Sequence, residues 1–307
     1  MTNDFTVHFW GVRGSHSSAG PEFIATGGNT SCVEMRVGGQ RLIFDAGTGI
    51  VPLGDQIVAG AGDPAVLILL SHYHHDHIQG LPHFPPLFAS DRIIHIVAPW
   101  NMYQDRVWDL LTNASAHSTI AERPGLRARR RTMLIEGGER LLWNMHDPSP
   151  LRVATTPDPA PAGWVEITTY RSHAHPRGGS MCYRVTAGGQ SAVFATDTES
   201  YIGADRGLAD FARDTDLIIH DAHFTPAEYS NPLASRQGWG HSTWEMAVEL
   251  ARLANIPQVA LFHHDPGHTD AQMDAIEAEA QAAHAGTFVA REGRSVTLGE
   301  PPARADM

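Results

Sequence analysis

The densest group of chemically active side chains in this sequence lies at residues 71–77. The run reads Ser-His-Tyr-His-His-Asp-His, so five of its seven side chains are imidazoles or carboxylates that can bind a metal ion. It follows residues 66–70, an all-apolar stretch typical of a buried strand. Because unpaired buried polar groups cost several kcal/mol each, packing alone does not explain the run. It predicts a metal site.

Hydrolysis with two divalent ions requires three or four ligands for each ion, together with a carboxylate and a water that bridge them. The sequence offers three candidate ligands for each ion and one candidate bridge. These are His72, His74 and His175 for one ion, Asp76, His77 and His263 for the other, and Asp197 as the bridge.

Three neighbouring histidines leave alternatives open. His75 is expected to point away from the site, because adjacent residues diverge in direction. His173 and His175 alternate along a strand-like segment and can face the same way, with His175 favoured. His263 is favoured over the adjacent His264 because it lies nearer the preceding strand.

The candidate ligands follow predicted strands, which must position them. Asp197, Asp221 and His263 each come within two residues after a short strand-like run. The runs cover residues 66–70, 191–195, 217–219 and 258–262. Strand ends that converge on one edge are a common way to build an active site. Strand-rich halves, each closed by helices, favour an α+β fold with four αββα layers over a parallel doubly wound sheet.

The 307 residues are interpreted as a single domain, since a chain that is 42% hydrophobic can bury one large core. Residues 99–160 are expected to form an irregular insertion, with a helix at 101–111 and a strand at 141–143. The tail from residue 299 is expected to be loose. A helix over residues 242–254 is predicted to begin with a capping box of Ser242 and Glu245.

Taken together in order, these motifs resemble the metallo-β-lactamase-fold hydrolase superfamily. The resemblance rests on His72-x-His74-x-Asp76-His77, then His175, Asp197 and His263, and on the Asp-Ala-Gly-Thr-Gly loop at residues 45–49. It covers about residues 5–290 and implies the αββα fold with one catalytic domain.

Further motifs resemble the phosphodiesterase branch of this superfamily, which includes ribonuclease Z. They are Asn-Thr-Ser-Cys at 29–32, His-Asp-Ala-His at 220–223 and Gly-His-Ser-Thr at 240–243. The opening Trp-Gly-Val-Arg-Gly-Ser at 10–15 is similar to bacterial metallo-hydrolases and cyclic-nucleotide phosphodiesterases of that branch.

Differences from two groups within the superfamily, ribonuclease Z and the β-lactamases, narrow the expected function. Ribonuclease Z has a glutamate in place of Asp221, and a long tRNA-binding arm between the residues that match His175 and Asp197. Only 21 residues separate those positions here, and the net charge of −12 disfavours a polyanionic partner. The β-lactamases of the fold use a cysteine where Asp197 stands and usually lack the histidine of position 77. We therefore expect neither tRNA processing nor β-lactam hydrolysis.

The resemblance implies a dinuclear metal-dependent hydrolase, with a phosphodiesterase for a small diester, such as a cyclic nucleotide, as the favoured activity. Two divalent ions are expected, zinc being favoured over manganese or iron, with a bridging hydroxide as the nucleophile. A carboxylic-ester, lactone or sulfate-ester hydrolase is the main alternative. A non-catalytic metal-binding protein is a third hypothesis.

Three residues are candidates for catalysis. Asp76 is expected to bind a metal and to orient the hydroxide. His241 directly precedes the predicted helix at 242–254, whose N-terminus attracts anions. It is therefore expected to bind the phosphoryl oxygen or protonate the leaving group, with Asp221 orienting it. His223 is either an accessory to the site or a surface histidine.

Other features give weaker expectations. The arginine-rich residues 123–131 are either a solvated face or a grip on an acidic substrate. Four aromatic residues could line a hydrophobic pocket or belong to the core: Phe84, Phe88, Trp100 and Trp108. Cys32 and Cys182 are interpreted as small core residues.

The N-terminus lacks a signal-peptide pattern and no apolar run could span a membrane, so a cytoplasmic protein is expected. The oligomeric state is open, a homodimer being one alternative.

Overall fold

Two sheets form the centre of the fold. The computed structural model describes residues 5–60, 64–89, 92–100, 128–201 and 203–299. The first sheet consists of β1 (Phe5–Gly11), β2 (Cys32–Val37), β3 (Gln40–Phe44), β4 (Ala65–Leu69), β5 (Ile93–Pro99), β6 (Arg129–Ile135) and β15 (Ser295–Thr297). Its spatial order is β15-β1-β2-β3-β4-β5-β6.

The second sheet has the spatial order 14-13-12-11-10-9-7-8. Its strands are β7 (Arg140–Trp143), β8 (Leu151–Val153), β9 (Val165–Ser172), β10 (Ser180–Ala187), β11 (Gln190–Ala195), β12 (Leu217–Asp221), β13 (Gln258–Phe262) and β14 (Thr287–Val289). Strands β11 to β14 are parallel, as are β3 to β6. The carboxyl ends of β4, β11, β12 and β13 can therefore present side chains at one shared edge.

The helices cover the outer faces of the sheets. They are α1 (Ile50–Ala59), α2 (His75–Ile78), α3 (Arg206–Phe211), α4 (Pro226–Tyr229), α5 (Trp244–Leu253) and α6 (Asp270–Ala283), with short 3₁₀ turns at Pro21–Phe23, Leu81–His83 and Pro85–Phe88. Within the described ranges, none of them combines the length and the apolar character needed to cross a lipid bilayer.

Alternation along the strands explains the four layers. In β4, Leu67 and Leu69 face the core between the two sheets, whereas Val66 and Ile68 pack with α1 on the outer side. In the second sheet the outer residues of β11 to β13 pack against α3, α5 and α6. Because both faces of β4 are buried, its sequence is a continuous apolar run rather than an alternating one. The predicted αββα sandwich is confirmed.

Two local predictions need correction. Helix α5 begins at Trp244, and its N-cap is Thr243, whose Oγ1 accepts the Met246 amide. Ser242 is not the cap, because its hydroxyl donates to the Thr198 carbonyl at 2.6 Å and accepts from the Ser200 amide at 2.9 Å. The insertion at 99–160 was expected to hold one strand, but its described part holds β6, β7 and β8. The helix predicted at 101–111 lies outside the described residues.

Both cysteines are buried and free, as predicted. Cys32 packs on the α1 side of the first sheet, and Cys182 packs on the α5 side of the second. The two thiols lie in separate outer layers and do not pair.

Candidate metal centre

The carboxyl edge of the two sheets brings the predicted ligands together in two adjoining groups. Within each group the nitrogen and oxygen atoms lie within 4.8 Å of one another. The first group contains His72, His74, His175 and Asp197, and the second contains Asp76, His77 and His263. All of these side chains except His74 are buried.

The second group has the dimensions of a tetrahedral cage. The Nε2 atoms of His77 and His263 are 3.1 Å apart, and each lies 3.2 Å from Asp76 Oδ2. Each also lies 3.2 Å from Asp197 Oδ1, which forms the fourth corner. Ligands at about 2.0–2.1 Å from a tetrahedral zinc are separated by about 3.3 Å. The donor set therefore fits a small divalent ion.

The first group faces the other oxygen of the same carboxylate. Asp197 Oδ2 lies 3.5 Å from His72 Nε2 and 3.6 Å from His175 Nε2. His175 Nε2 also lies 3.0 Å from His74 Nδ1. The buried Nε2 of His72 has no hydrogen-bond partner among the described residues. A buried nitrogen without a partner is uncommon, and a metal ion would satisfy it. If both groups held an ion, Asp197 would be the residue that they share.

Sharp turns at the strand ends aim these side chains. Asp197 follows β11 with φ of 52°, and His263 follows β13 with φ of 60°. These left-handed conformations are uncommon outside glycine and cluster at functional sites. The N-terminal loop packs close behind them, since a Cβ on Gly14 would lie only 2.4 Å from His263 Cε1. The next residue, Ser15, donates its amide to Asp76 Oδ2 at 2.7 Å.

Hydrogen bonds behind the ligands fix the orientation of the rings. His77 Nδ1 lies 2.7 Å from Asp45 Oδ2, so its Nε2 is directed to the cage. Asp45 also accepts from the amide and the hydroxyl of Ser71, and that hydroxyl is 3.0 Å from His72 Nδ1. On the other side, His175 Nδ1 donates to the Gly240 carbonyl at 3.0 Å. Such partners are typical of histidines that bind metal ions.

A histidine–aspartate pair adjoins the second group. His241 Nδ1 donates to Asp221 Oδ2 at 2.7 Å, and the His241 ring stacks on that of His263 with centroids 5.0 Å apart. The other oxygen of Asp221 accepts the amides of Ser242 and His223. Asp221 therefore holds both the ring and the backbone of the segment that carries His241.

Comparison with known proteins identifies the family. Residues 40–264 match the β-lactamase superfamily domain. The chain belongs to this superfamily. A stretch of 130 residues is 32% identical to ribonuclease Z of Rippkaea orientalis, covering 41% of this chain and 38% of that relative. The chain thus matches less than half of the relative's length. The domain match confirms the predicted superfamily.

Solved structures confirm the fold. The metallo-β-lactamase fold protein YhfI of Bacillus subtilis superposes with a TM-score of 0.63 and 18% identity, covering 96% of this chain and 100% of that one. A diphosphatase of the PhnP family superposes with a TM-score of 0.61 and 16% identity, covering 95% and 97%. The metallo-β-lactamase fold implies that divalent metal ions are bound. The two groups of ligand atoms described above are the candidate site for them.

The electrostatics of the first group suit metal binding. Burial lowers the pKa of His72, and nearby His77 lowers it further. Burial together with His175 lowers the pKa of His74 to about 4. Both rings are therefore neutral near pH 7, which is the form that binds a metal ion. In the second group burial opposes the charge on His77, but the carboxylates of Asp197 and Asp76 raise its pKa. A bound cation would replace that proton.

The alternative residues lie outside both groups. His75 and His173 are exposed. His264 is buried, but its Nε2 is 2.9 Å from the Ala290 carbonyl. His223 is not the surface histidine that the sequence allowed: it is buried, stacks on His241 at 4.6 Å and lies 2.8 Å through Nδ1 from the His263 carbonyl.

The remaining predictions have mixed outcomes. Phe84 is fully buried and packs in the core with residues of α1. Trp100 is exposed at the end of β5. Residues 129–131 of the arginine run lie on β6, whereas Trp108, Arg123 and Arg127 fall outside the described residues. Sequence reasoning missed the role of Asp45, although its place at the end of β3 was a usable signal.

Proposed function

We propose that this protein is a dinuclear metal-dependent phosphodiesterase that acts on a small phosphodiester. The observation that carries the proposal is the placement of Asp197, whose two oxygens face two separate groups of imidazole and carboxylate ligands. When bound, two divalent ions supply a hydroxide nucleophile near neutral pH and neutralise charge on phosphate oxygens. Zinc is the proposed metal, because tetrahedral sets of imidazole and carboxylate ligands suit it.

His241 is the proposed residue for the leaving group. Burial would lower its pKa, but the adjacent Asp221 carboxylate raises it to about 9. The ring is therefore protonated near neutral pH, with Nδ1 held by Asp221 and Nε2 free to donate. A protonated imidazole can bind a phosphoryl oxygen and pass a proton to the departing alkoxide. Divalent ions beside it would lower the pKa and make that proton easier to transfer.

Asp76 has a double role in this proposal. Its Oδ2 is one corner of the cage and also accepts the Ser15 amide at 2.7 Å. The Ser15 amide fixes the direction of the carboxylate, so Asp76 can orient the nucleophile while it binds a metal.

The segment between His175 and Asp197 supports a small substrate. It consists mainly of β10 and β11, which are paired as a hairpin that turns at Gly188 and Gly189. The hairpin is part of the second sheet, so the tRNA-binding arm expected of a ribonuclease Z has no place here. Because the chain also carries a net charge of −12, we propose a small diester rather than a tRNA as the substrate.

Matched chromogenic substrates test the proposal. The zinc- or manganese-loaded protein should hydrolyse bis(p-nitrophenyl) phosphate with a kcat/KM well above that for p-nitrophenyl acetate or p-nitrophenyl sulfate. All three release nitrophenolate, so the comparison isolates the group that is attacked. Faster cleavage of the acetate or the sulfate would favour an acyl-ester or sulfate-ester hydrolase and reject the diesterase.

A further inference from the structure

The loop from residue 230 to residue 240 holds a large aromatic side chain out of the protein core beside the metal centre. Trp239 is 53% exposed and lies two residues before His241. The flanking amides of Gly238 and Gly240 each donate to the Glu199 carboxylate at 2.8 Å. Because Glu199 is fully buried, it anchors the backbone on both sides of Trp239. The exposure of the indole is thus a product of a fixed backbone and not of a loose loop.

Further contacts hold Glu199 and the loop at residues 230–240 in place. The hydroxyl of Tyr229 donates to Glu199 at 2.6 Å. The Gly240 carbonyl accepts from the candidate ligand His175, so the loop and the metal centre share a rigid base. A buried carboxylate with three donors is a costly arrangement to maintain, because desolvation of the charge must be offset by those bonds. The arrangement therefore points to a requirement for a fixed loop at this position.

An arginine completes the exposed surface of this loop. The Arg236 guanidinium lies 4.3 Å from the Trp239 ring centroid and 5.8 Å from that of Phe224. Phe224 in turn makes an edge contact with His241, with centroids 6.0 Å apart. Among the described residues no carboxylate forms an ion pair with Arg236. Its N–H groups are therefore available to a ligand, and stacking on the indole has already restricted their orientation.

We propose that Trp239 and Arg236 form a subsite for the nucleobase of a nucleotidyl phosphodiester. This rests on the proposed function, since the phosphate of such a substrate would lie at the metal centre. The guanidinium lies over the indole, and about half of the surface of Trp239 remains exposed for contact with a planar ring. Stacking of a base on an aromatic side chain stabilises binding by roughly 1–3 kcal/mol. The Arg236 N–H groups match the carbonyl and ring-nitrogen acceptors at the edge of a base.

The chemistry of the pair selects this ligand class over others. An aliphatic ester would gain little from a guanidinium with free N–H groups, and a lipid would require a larger apolar surface. A long nucleic acid would be repelled by a chain with a net charge of −12. A mononucleotide or dinucleotide diester has at least one base to stack, base-edge acceptors for Arg236 and a phosphate for the centre.

Two substrates with the same leaving group test the subsite. Thymidine 5′-(p-nitrophenyl phosphate) carries a base, whereas methyl p-nitrophenyl phosphate does not. For Trp239→Ala we expect the ratio of kcat/KM for the thymidine substrate to that for the methyl substrate to fall about tenfold, which lies within the range for a lost stack. Trp239→Phe should retain most of the ratio, because it keeps an aromatic face.

The chain offers a matched control in Trp164. Its ring also carries an arginine, Arg152, at 4.3 Å, but it lies at the start of β9, the end of that strand away from His175. Trp164→Ala should leave the ratio unchanged. An unchanged ratio in Trp239→Ala, or an equal fall in Trp164→Ala, would overturn the subsite while the diesterase stands.

A binding measurement separates the subsite from the proposed function. If neither diester is cleaved, the proposed function fails, and calorimetry with thymidine 5′-monophosphate then tests the subsite alone. The metal-loaded wild-type protein should bind this nucleotide about tenfold more tightly than Trp239→Ala does, with methyl phosphate as the reference ligand for both. Equal affinities of the two proteins for the nucleotide would reject the subsite.

Discussion

Asp45 and His77 form a fully buried hydrogen-bonded pair on the far side of the imidazole from the metal cage. Asp45 Oδ2 lies 2.7 Å from His77 Nδ1, and His77 Nε2 lies 3.2 Å from both Asp76 Oδ2 and Asp197 Oδ1. The carboxylate therefore holds the Nδ1 proton, so that Nε2 would be the nitrogen that binds a metal ion, and it increases the basicity of Nε2.

Asp45→Asn should weaken metal binding without removing a ligand. The amide oxygen can still accept a hydrogen bond from His77, but the negative charge is lost. We expect zinc affinity to fall about 10- to 100-fold, measured by competition with a chromogenic chelator. Asp221→Asn is the matched control, because Asp221 is also buried and paired with a histidine, His241. It should keep the wild-type affinity, and the reverse order of affinities would contradict our assignment.

Replacement of His241 should separate chemistry from metal binding. For His241→Ala we expect both metals to be retained and kcat to fall about 10²- to 10⁴-fold, the usual range for a lost general acid. His72→Ala should instead lose metal and activity together, because His72 Nε2 faces Asp197, the proposed bridge between the two ions. Metal content by mass spectrometry and kcat with bis(p-nitrophenyl) phosphate measure the two effects. Loss of metal from His241→Ala would make His241 a ligand.

Glu199→Gln should loosen the loop that carries Trp239 and leads to His241. The amide group that replaces one carboxylate oxygen cannot accept a hydrogen bond from a backbone N–H, so at least one of the anchors at Gly238 and Gly240 is lost. We expect trypsin to cut after Arg236 several-fold faster than in the wild type, as followed by mass spectrometry. The control variant Glu245→Gln, whose substitution lies on the exposed face of α5, should be cut by trypsin at the wild-type rate. Equal rates for all three proteins would show that Glu199 does not restrain the loop.

Local spacing carried most of the successful sequence predictions. The apolar run at 66–70 predicted a buried strand, and the histidines after it predicted a metal site at the end of that strand. In the structure β4 begins and ends one residue earlier than predicted. Candidate partners such as Asp197 and His263 were named because they follow strand-like runs, and strand ends that converge on one edge commonly build an active site. In each case, a residue type and its place relative to a strand were sufficient.

What the sequence did not predict depends on contacts between distant segments. Asp45 was noted only as part of a loop, because its bond to His77 joins the ends of two neighbouring strands. His223 could be assigned to either the site or the surface, since nothing local fixes its burial. The cap of α5 moved to Thr243 because the side chain of Ser242 is held by Thr198, more than forty residues earlier.

His95 gives a prediction that is independent of the metal centre. It is buried on β5 against Trp143, with ring centroids 5.6 Å apart, and its Nε2 has no hydrogen-bond partner among the described residues. Burial lowers the pKa of His95 to about 4, and Arg131 on the neighbouring strand contributes in the same direction. The folded protein therefore holds this ring neutral at a pH where an exposed histidine would take up a proton.

Stability should consequently fall as the pH is lowered from 6.5 towards 4. Across this window the unfolded chain binds a proton at His95 and the folded chain does not, so acid favours unfolding. At pH 5 the cost from this residue is roughly 2 kcal/mol relative to pH 7. His95→Leu should remove that part of the pH dependence, and His146→Leu, at an exposed site, should retain it. Urea unfolding at pH 5 and pH 7 with chelator present measures the difference, because the metal-free ligands titrate alike in all three proteins. An equal pH dependence in the wild type and His95→Leu would mean that His95 is protonated in the folded state.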